Sequence, residues 1–232
     1  MQATTDRPER EPATGLKAKI PNALTILRLV LAGVFFALLE LGLQGVDEWG
    51  EPDDRRQTVL LIALGLFVVA AVTDAADGYL ARKWNAISKF GRVMDPFADK
   101  ILVLGAVVYL AGPAFTQVGV GEGSDLQVSG VAPWMAVVIL ARELLVTSVR
   151  GFFESQGMDF SADLAGKLKM ILQSAVVPLV LLVLALADVS PGSEWRWVID
   201  LSVWATVVVT VVSCVPYVVK GVRAGRGLIH EP

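Results

Sequence analysis

The chain is poor in cysteine and histidine, with one of each among its 232 residues. Because Cys214 has no second cysteine to pair with, an intrachain disulfide is excluded, and we expect this side chain to pack as an apolar residue. His230 lies in a polar C-terminal stretch, where we expect it to be solvated. The sequence also lacks a stripe of basic residues of the kind that binds nucleic acid. These absences exclude a disulfide framework and argue against a nucleic-acid partner.

Charged residues are scarce as well, at 19%, whereas hydrophobic residues make up 54% and the mean hydropathy is +0.60. This composition is typical of an integral membrane protein. A spanning helix requires about 20 apolar residues, and none of the apolar segments shows the period-2 alternation of a membrane barrel. Six segments qualify as spanning helices: 22–43, 57–80, 97–117, 131–150, 167–187 and 197–219.

The predicted fold class is therefore all-α, a polytopic membrane protein built as a bundle of six transmembrane helices. We expect one membrane domain over residues 20–222, a disordered cytoplasmic tail at 1–19 and a second cytoplasmic tail at 223–232. With the N-terminus in the cytoplasm, nearly all of the 20 lysines and arginines fall on the cytoplasmic side. The exceptions are Arg55, Arg56 and Arg196. The positive-inside rule therefore predicts that both termini face the cytoplasm.

Four aspartates recur in a fixed pattern around the predicted cytoplasmic turn between the second and third apolar segments: Asp74, Asp77, Asp95 and Asp99. Carboxylates crowded at a membrane boundary repel one another and resist ionisation. Divalent metal ions bind oxygen ligands and cancel that charge. The segment is therefore predicted to be a metal site that handles a phosphate-containing lipid.

Helical periodicity of about 100° per residue places the first two aspartates on one face of a helix, together with Gly78, Ala81 and Arg82. The two small residues leave room for a ligand or a neighbouring helix to approach closely. Arg82 supplies a fixed cation, which suits a phosphate. Asp95 and Asp99 share a face of the next helix if that helix continues past Pro96. The alternative is that the aspartates cap helices and pair with nearby basic residues.

The motif from Asp74 to Asp99, D-x2-D-G-x2-A-R-x8-G-x3-D-x3-D, resembles the signature of the CDP-alcohol phosphotransferase family. The resemblance implies an enzyme with six transmembrane helices, an active site open to the cytoplasm and a homodimeric assembly. It also implies two divalent cations, Mg²⁺ or Mn²⁺, in each active site. A metal-dependent transfer from a CDP-linked lipid to an alcohol is the expected reaction.

The resemblance assigns a role to each matched residue. Asp74 and Asp95 would bind both metal ions, Asp77 the first, and Asp99 the second. Asp99 would also be the general base that deprotonates the acceptor hydroxyl. The positions expected to contact the CDP moiety are Gly78, Arg82 and Ser88. Asn22 and Thr25, near the start of the first segment, are further candidates for contacting the nucleotide, although Asn22 also suits a helix N-cap.

Three flanking segments resemble bacterial phosphatidylglycerophosphate synthases: Ile20 to Arg28, Ala141 to Leu144 and Gly166 to Lys169. This likeness implies CDP-diacylglycerol as the donor and sn-glycerol 3-phosphate as the acceptor, in the plasma (inner) membrane of a bacterium. One departure is Met170, because those synthases usually carry threonine at this position. If that threonine touches the acceptor, the acceptor assignment weakens.

Four basic residues are candidates for holding the acceptor phosphate: Arg142, Arg150, Lys167 and Lys169. Arg142 and Glu143 lie inside an apolar segment, where charges are costly and are usually functional or paired. The alternative is that Arg142 pairs with Glu143 or another carboxylate, and that the other three anchor helices at anionic headgroups.

Other functions fit the sequence less well. A family member with another acceptor, inositol phosphate or phosphatidylglycerol, is the nearest alternative. Aspartate-rich prenyltransferases place their acidic motifs much farther apart. A transporter with an acidic cluster would explain the carboxylates but not Gly78, Ala81 and Arg82 at their spacings.

Overall fold

The computed structural model describes residues 16–45, 49, 53–84, 89–120, 124–156 and 164–229. Within these residues the chain forms seven α-helices, one short 3₁₀ helix and one two-stranded sheet. The α-helices are α1 (Leu16–Gly42), α2 (Asp54–Trp84), α3 (Lys89–Leu110), α4 (Pro133–Ser155), α5 (Leu164–Leu186), α6 (Glu194–Val212) and α7 (Val215–Ile229). The strands are β1 (Thr116–Val120) and β2 (Ser124–Gln127), and the 3₁₀ helix is Pro113–Phe115.

Four helical stretches are long and apolar enough to cross a membrane: Asn22–Gly42, Asp54–Asp74, Leu168–Leu186 and Glu194–Val222. By the length and composition of these helices, the protein is a multi-pass membrane protein. The apolar part of α3 is shorter, at Lys100–Leu110. Helix α4 is continuous, but its apolar sequence contains the adjacent charged residues Arg142 and Glu143. The prediction of a mostly helical membrane protein is confirmed, whereas the bundle of six spans and the orientation of the termini stay predictions.

The predicted third segment extends too far, to residue 117, and the mostly helical chain contains one short hairpin that was not predicted. Helix α3 ends at Leu110, and β1 and β2 form an antiparallel hairpin in which Thr116 pairs with Gln127. The reason is local. Gly112 is held in an extended conformation before Pro113, because the proline ring disfavours a helical residue in front of it and provides no N–H.

The last predicted span, 197–219, is divided into α6 and α7 by a turn at Ser213 and Cys214. Pro216 follows at once. Because proline has no backbone N–H, it cannot donate to the carbonyl of Val212, and the series of helical hydrogen bonds is broken there. The boundaries of the predicted tails also fall within helices, since α1 begins at Leu16 and α7 continues to Ile229.

The chain packs as two units. The first comprises Met1–Phe35 and Gly65–Leu102, of which residues 1–15 and 85–88 lie outside the described part. Its described buried side chains belong to three helices. Phe35 of α1 packs against Phe67 of α2 with ring centroids 5.9 Å apart. Ala98 and Leu102 are buried on α3. Two polar side chains of α1, Thr25 and Arg28, are also buried in this unit.

The second unit comprises Phe36–Leu64 and Val103–Pro232. Here α5 packs against α6, and α4 packs against both α6 and α7. Both helices bury aliphatic side chains, Val177 and Leu181 on α5 and Ile199 and Val203 on α6. Because lipid tails are as apolar as these side chains, van der Waals packing stabilises such helix contacts in a membrane. This packing holds the polar side chains of the second unit in place.

A hydrogen-bonded network closes the hairpin end of the second unit. Gln127 donates to the carbonyl of Leu110 over 2.8 Å, and Ser129 donates to the same carbonyl over 2.5 Å. Arg196 of α6 donates from Nη1 to the carbonyl of Gln127 over 2.7 Å and pairs with Asp200. The end of α3, the hairpin and the start of α6 are therefore joined by polar groups.

Candidate active site

The aspartate motif is carried by two helices, as the spacing predicts. Helix α2 runs without a break from Asp54 to Trp84, so Asp74, Asp77, Gly78 and Arg82 all lie on it at helical spacing. Helix α3 begins at Lys89 and continues past the proline at position 96, so Asp95 and Asp99 lie one turn apart. The positions of these residues along two helices are thereby confirmed. Ser88 lies outside the described residues.

Asp74 is the one motif aspartate whose side chain the structure describes. Its carboxylate forms an ion pair with Nη1 of Arg28 on α1, and the Asp74 side chain is 42% exposed whereas that of Arg28 is 2% exposed. The side chains of Asp77, Asp95 and Asp99, and that of Arg82, lie outside the described part. Pairing with a nearby arginine, the alternative drawn from the sequence, is therefore correct for Asp74.

Arg28 is a site residue that the sequence reasoning missed. Although it was not among the predicted site residues, it is buried and pairs with Asp74. The signal was available, because a charge within an apolar helix is costly and usually has a specific partner. Thr25, one turn earlier on the same face, is buried too, and Asn22 is half-buried. This face of α1 is therefore a polar strip within an apolar helix.

The donor set of the motif suits a hard divalent cation, because carboxylate oxygens are the ligands that Mg²⁺ and Mn²⁺ prefer. The exposed part of the Asp74 carboxylate leaves it accessible to such an ion. Among the described side chains no group of three or more potential ligands occurs. Since the other three aspartate side chains lie outside that set, the metal site stays a prediction.

A second polar cluster lies in the second unit, between α4 and α5. Oε1 of Glu143 accepts a hydrogen bond from Nη1 of Arg142 over 2.8 Å and another from Nζ of Lys169. All three residues are buried, at 8%, 7% and 5% exposure for Arg142, Glu143 and Lys169. The pairing of Arg142 with Glu143 considered from the sequence is confirmed. The anchoring of Lys169 at a headgroup is wrong, because its amine points to a buried carboxylate.

The helix break at the end of α6 completes the surroundings of Arg142. Nη2 of Arg142 donates to Oγ of Ser213 over 2.8 Å, and Ser213 in turn donates to the carbonyl of Thr210. The guanidinium carbon lies 5.9 Å from the centre of the Tyr217 ring at the start of α7. Nε of Arg142 is buried and has no hydrogen-bond partner among the described residues. We refer to Arg142, Glu143, Lys169 and Ser213 as the α4–α5 cluster.

The electrostatic character of the α4–α5 cluster follows from its members. Its described side chains include two cations and one carboxylate, all removed from water, and one unsatisfied N–H donor. A buried donor without an acceptor costs about 1–3 kcal/mol, and a buried cation is costly unless it is paired. An anionic ligand with several oxygen acceptors would relieve both penalties.

The other two predicted acceptor residues are Arg150 and Lys167. Arg150 lies two turns further along α4, is half-exposed and pairs with Glu154 over 3.2 Å. Lys167 lies on α5, but its side chain is outside the described residues. Residues that the sequence reasoning missed are Ser213 and Tyr217. Neither carries a sequence signal, because a serine and a tyrosine within an apolar segment have no distinctive spacing.

Comparison with known proteins identifies the family of this chain. Residues 18–212 match the model of the family described as CDP-alcohol phosphatidyltransferase. The chain belongs to this family. The match covers α1 to α6, so it includes both the aspartate motif and most of the α4–α5 cluster. The protein is therefore an enzyme of the CDP-alcohol phosphatidyltransferase class.

Individual relatives in the family are named for one reaction. The chain is 32% identical to the CDP-diacylglycerol–glycerol-3-phosphate 3-phosphatidyltransferase of Bacillus subtilis, over 88% of this chain and 96% of the relative. It is 35% identical to the enzyme of that name from Cereibacter sphaeroides, over 70% of this chain and 63% of the relative. It is 30% identical to a probable phosphatidylglycerophosphate synthase of Mycobacterium tuberculosis, over 91% of this chain and 85% of the relative.

Proposed function

We propose that this enzyme transfers the phosphatidyl group of CDP-diacylglycerol to sn-glycerol 3-phosphate, giving phosphatidylglycerophosphate and CMP. The observation that carries the proposal is the α4–α5 cluster. Arg142 and Lys169 are two buried cations, and Nε of Arg142 is a buried donor with no acceptor among the described residues. The names of the relatives in Bacillus subtilis and Cereibacter sphaeroides support the same reaction.

A phosphomonoester matches the cluster in charge and in hydrogen bonding. Its terminal oxygens are strong acceptors, and a guanidinium binds them with two parallel N–H groups. The ammonium of Lys169 binds as a point charge and adds to the electrostatic attraction. A neutral acceptor alcohol would leave the Nε donor unsatisfied. In this proposal Arg150 and Lys167 extend the same acceptor site.

The aspartate motif carries the transfer itself. Asp99 accepts the proton of the acceptor hydroxyl, and the resulting oxygen attacks the phosphorus that bears the diacylglycerol. The bond from that phosphorus to the CMP oxygen breaks, and CMP leaves. Asp74, Asp77, Asp95 and Asp99 would hold two divalent cations, Mg²⁺ or Mn²⁺, and these ions would neutralise charge on the pyrophosphate.

Other residues of the motif and of α1 bind the donor. Arg82 binds a phosphate of the CDP moiety, and the absence of a side chain at Gly78 lets the nucleotide approach the helix closely. Ser88 and the polar face formed by Asn22 and Thr25 provide further contacts to the nucleotide. Arg28 orients the Asp74 carboxylate through their ion pair.

The proposal also includes the setting of the enzyme. Six transmembrane helices place both termini and the aspartate motif on the cytoplasmic face of the bacterial plasma (inner) membrane, and the protein assembles as a homodimer. The distribution of lysine and arginine supports this orientation. CDP-diacylglycerol, glycerol 3-phosphate and membrane lipids are its partners.

The deciding experiment measures CMP release by the purified protein in lipid nanodiscs. CDP-diacylglycerol is supplied with glycerol 3-phosphate, inositol phosphate, phosphatidylglycerol or glycerol, and the lipid product is identified by mass spectrometry. We expect turnover with glycerol 3-phosphate, its loss in EDTA and its recovery with Mg²⁺ or Mn²⁺. Turnover with inositol phosphate and none with glycerol 3-phosphate would refute the acceptor assignment. Metal-independent turnover would refute the metal site.

A further inference from the structure

Glu143 is the central member of the α4–α5 cluster, yet the proposed reaction gives it no role. A carboxylate beside two phosphate-binding cations is at first sight unfavourable, because it reduces the attraction for an anionic acceptor. It also occupies donors that the acceptor phosphate would use. The position of this buried residue therefore requires an explanation.

The contacts show what the carboxylate does. A single oxygen, Oε1, accepts from both Arg142 and Lys169, so one atom links a residue of α4 to a residue of α5. Without it, two buried cations would face each other and repel. Long basic side chains would then move apart or turn towards water, at an entropic gain for each.

Only part of each cation is engaged by Glu143. Arg142 donates from Nη1 to Glu143 and from Nη2 to Ser213, and these two hydrogen bonds fix the plane of the guanidinium. Its buried Nε has no hydrogen-bond acceptor among the described residues. The ammonium of Lys169 donates to the same carboxylate oxygen. Glu143 thus orients both cations, and the Nε donor of Arg142 stays available for a ligand.

We infer that Glu143 is a positioning residue for the acceptor phosphate. It holds Arg142 and Lys169 close together and in fixed orientation, so that both cations are prearranged to bind one phosphomonoester. This inference rests on the proposed function and assigns a specific task within it. Glu143 acts through its two partners and touches neither the phosphorus nor the acceptor hydroxyl.

The test is a steady-state comparison of Glu143→Gln with the wild-type enzyme in nanodiscs, varying each substrate in turn. Glutamine has nearly the same shape but carries no charge, so it holds the cations weakly. We expect the KM for glycerol 3-phosphate to rise roughly ten- to a hundredfold, as is typical when a partner that orients a functional group is lost. We expect kcat at saturating acceptor and the KM for CDP-diacylglycerol to change by no more than about twofold.

Two further variants keep the test decisive if Glu143→Gln is poorly folded. Glu143→Asp retains the charge but is one methylene shorter, so it cannot reach both cations, and its acceptor KM should rise several-fold. Glu40→Gln makes the same chemical change on an exposed residue of α1 and should leave both KM values unchanged. In the double variant Glu143→Gln with Lys169→Met, the acceptor KM should barely exceed that of Lys169→Met alone.

Three outcomes would overturn the inference. The acceptor KM could stay unchanged in both Glu143 variants, or fall because the carboxylate only competes with phosphate. Alternatively, kcat and both KM values could worsen together, which is the result of a general structural defect. Failure of the proposed function itself is distinguishable, since the wild-type enzyme would then show no turnover with glycerol 3-phosphate.

Discussion

Replacing Lys169 by methionine tests the α4–α5 cluster most directly. Lys169 is only 5% exposed in the structure. Methionine preserves most of the apolar length of its side chain and removes the ammonium. The change deletes the ion pair with Glu143 and one proposed contact to the acceptor phosphate. Its effects on stability and on acceptor binding are separable, because they are measured in different experiments.

The stability effect follows from the contacts that remain. Removing one partner of a buried ion pair costs about 3–5 kcal/mol. Glu143 keeps its hydrogen bond to Nη1 of Arg142 at 2.8 Å, so we expect the lower end of that range. For a chain of this size, each kcal/mol lowers the melting temperature by roughly 2–4 °C. A decrease of about 6–12 °C is therefore expected by thermal unfolding in detergent.

The effect on acceptor binding follows from the value of a charged hydrogen bond, about 1.5–3 kcal/mol. The KM for glycerol 3-phosphate should rise roughly ten- to a hundredfold, with the KM for CDP-diacylglycerol nearly unchanged. Lys220→Met on α7, where the lysine is exposed, is the matched control and should alter neither value. If Lys169→Met lowers the melting temperature but leaves the acceptor KM at the wild-type value, the cluster is purely structural and the reasoning is refuted.

Three other changes have defined outcomes. Asp99→Asn should abolish CMP release while largely preserving CDP-lipid binding, measured by scintillation proximity with labelled lipid, and unchanged turnover would exclude the base role. Gly105→Val should lower stability by about 1–3 kcal/mol, because a Cβ there would collide with the ring of Phe36; an unaltered melting temperature would contradict that contact. Hydrogen bonds from the backbone and hydroxyl of Ser190 lower the pKa of Asp188. Their stabilisation is present above the unfolded-state pKa and is lost as the pH falls through the folded one, so Ser190→Ala should raise the Asp188 pKa in a carboxyl NMR titration, and an unshifted titration would refute this assignment.

The helices were predictable because apolar length alone determines a membrane span. The positions of Asp74 to Arg82 along one helix followed from the same periodicity. The hairpin at Thr116–Gln127 was not predictable in this way, because it depends on Gln127 and Ser129 satisfying the carbonyl of Leu110, a contact between residues far apart in the chain.

The α4–α5 cluster was only partly predictable. The charge of Arg142 within an apolar segment indicated that it must have a partner, and Glu143 was the nearest one. That Lys169 shares the same carboxylate oxygen could not be inferred, because it depends on how α4 and α5 pack. A charge within the apolar α1 also indicated that Arg28 has a partner, but identifying Asp74 as that partner requires knowing which face of α1 meets α2.

The turn between α6 and α7 has a consequence for the enzyme beyond the shape of its last helix. The Ser213 hydroxyl meets Arg142 at the end of α6, and Pro216, three residues later, cannot continue the helical hydrogen bonding. Shifting the turn by a single residue would rotate that hydroxyl by about 100° and withdraw it from the guanidinium. A helix boundary therefore sets part of the geometry of the α4–α5 cluster, because it decides where the Ser213 hydroxyl lies relative to Arg142.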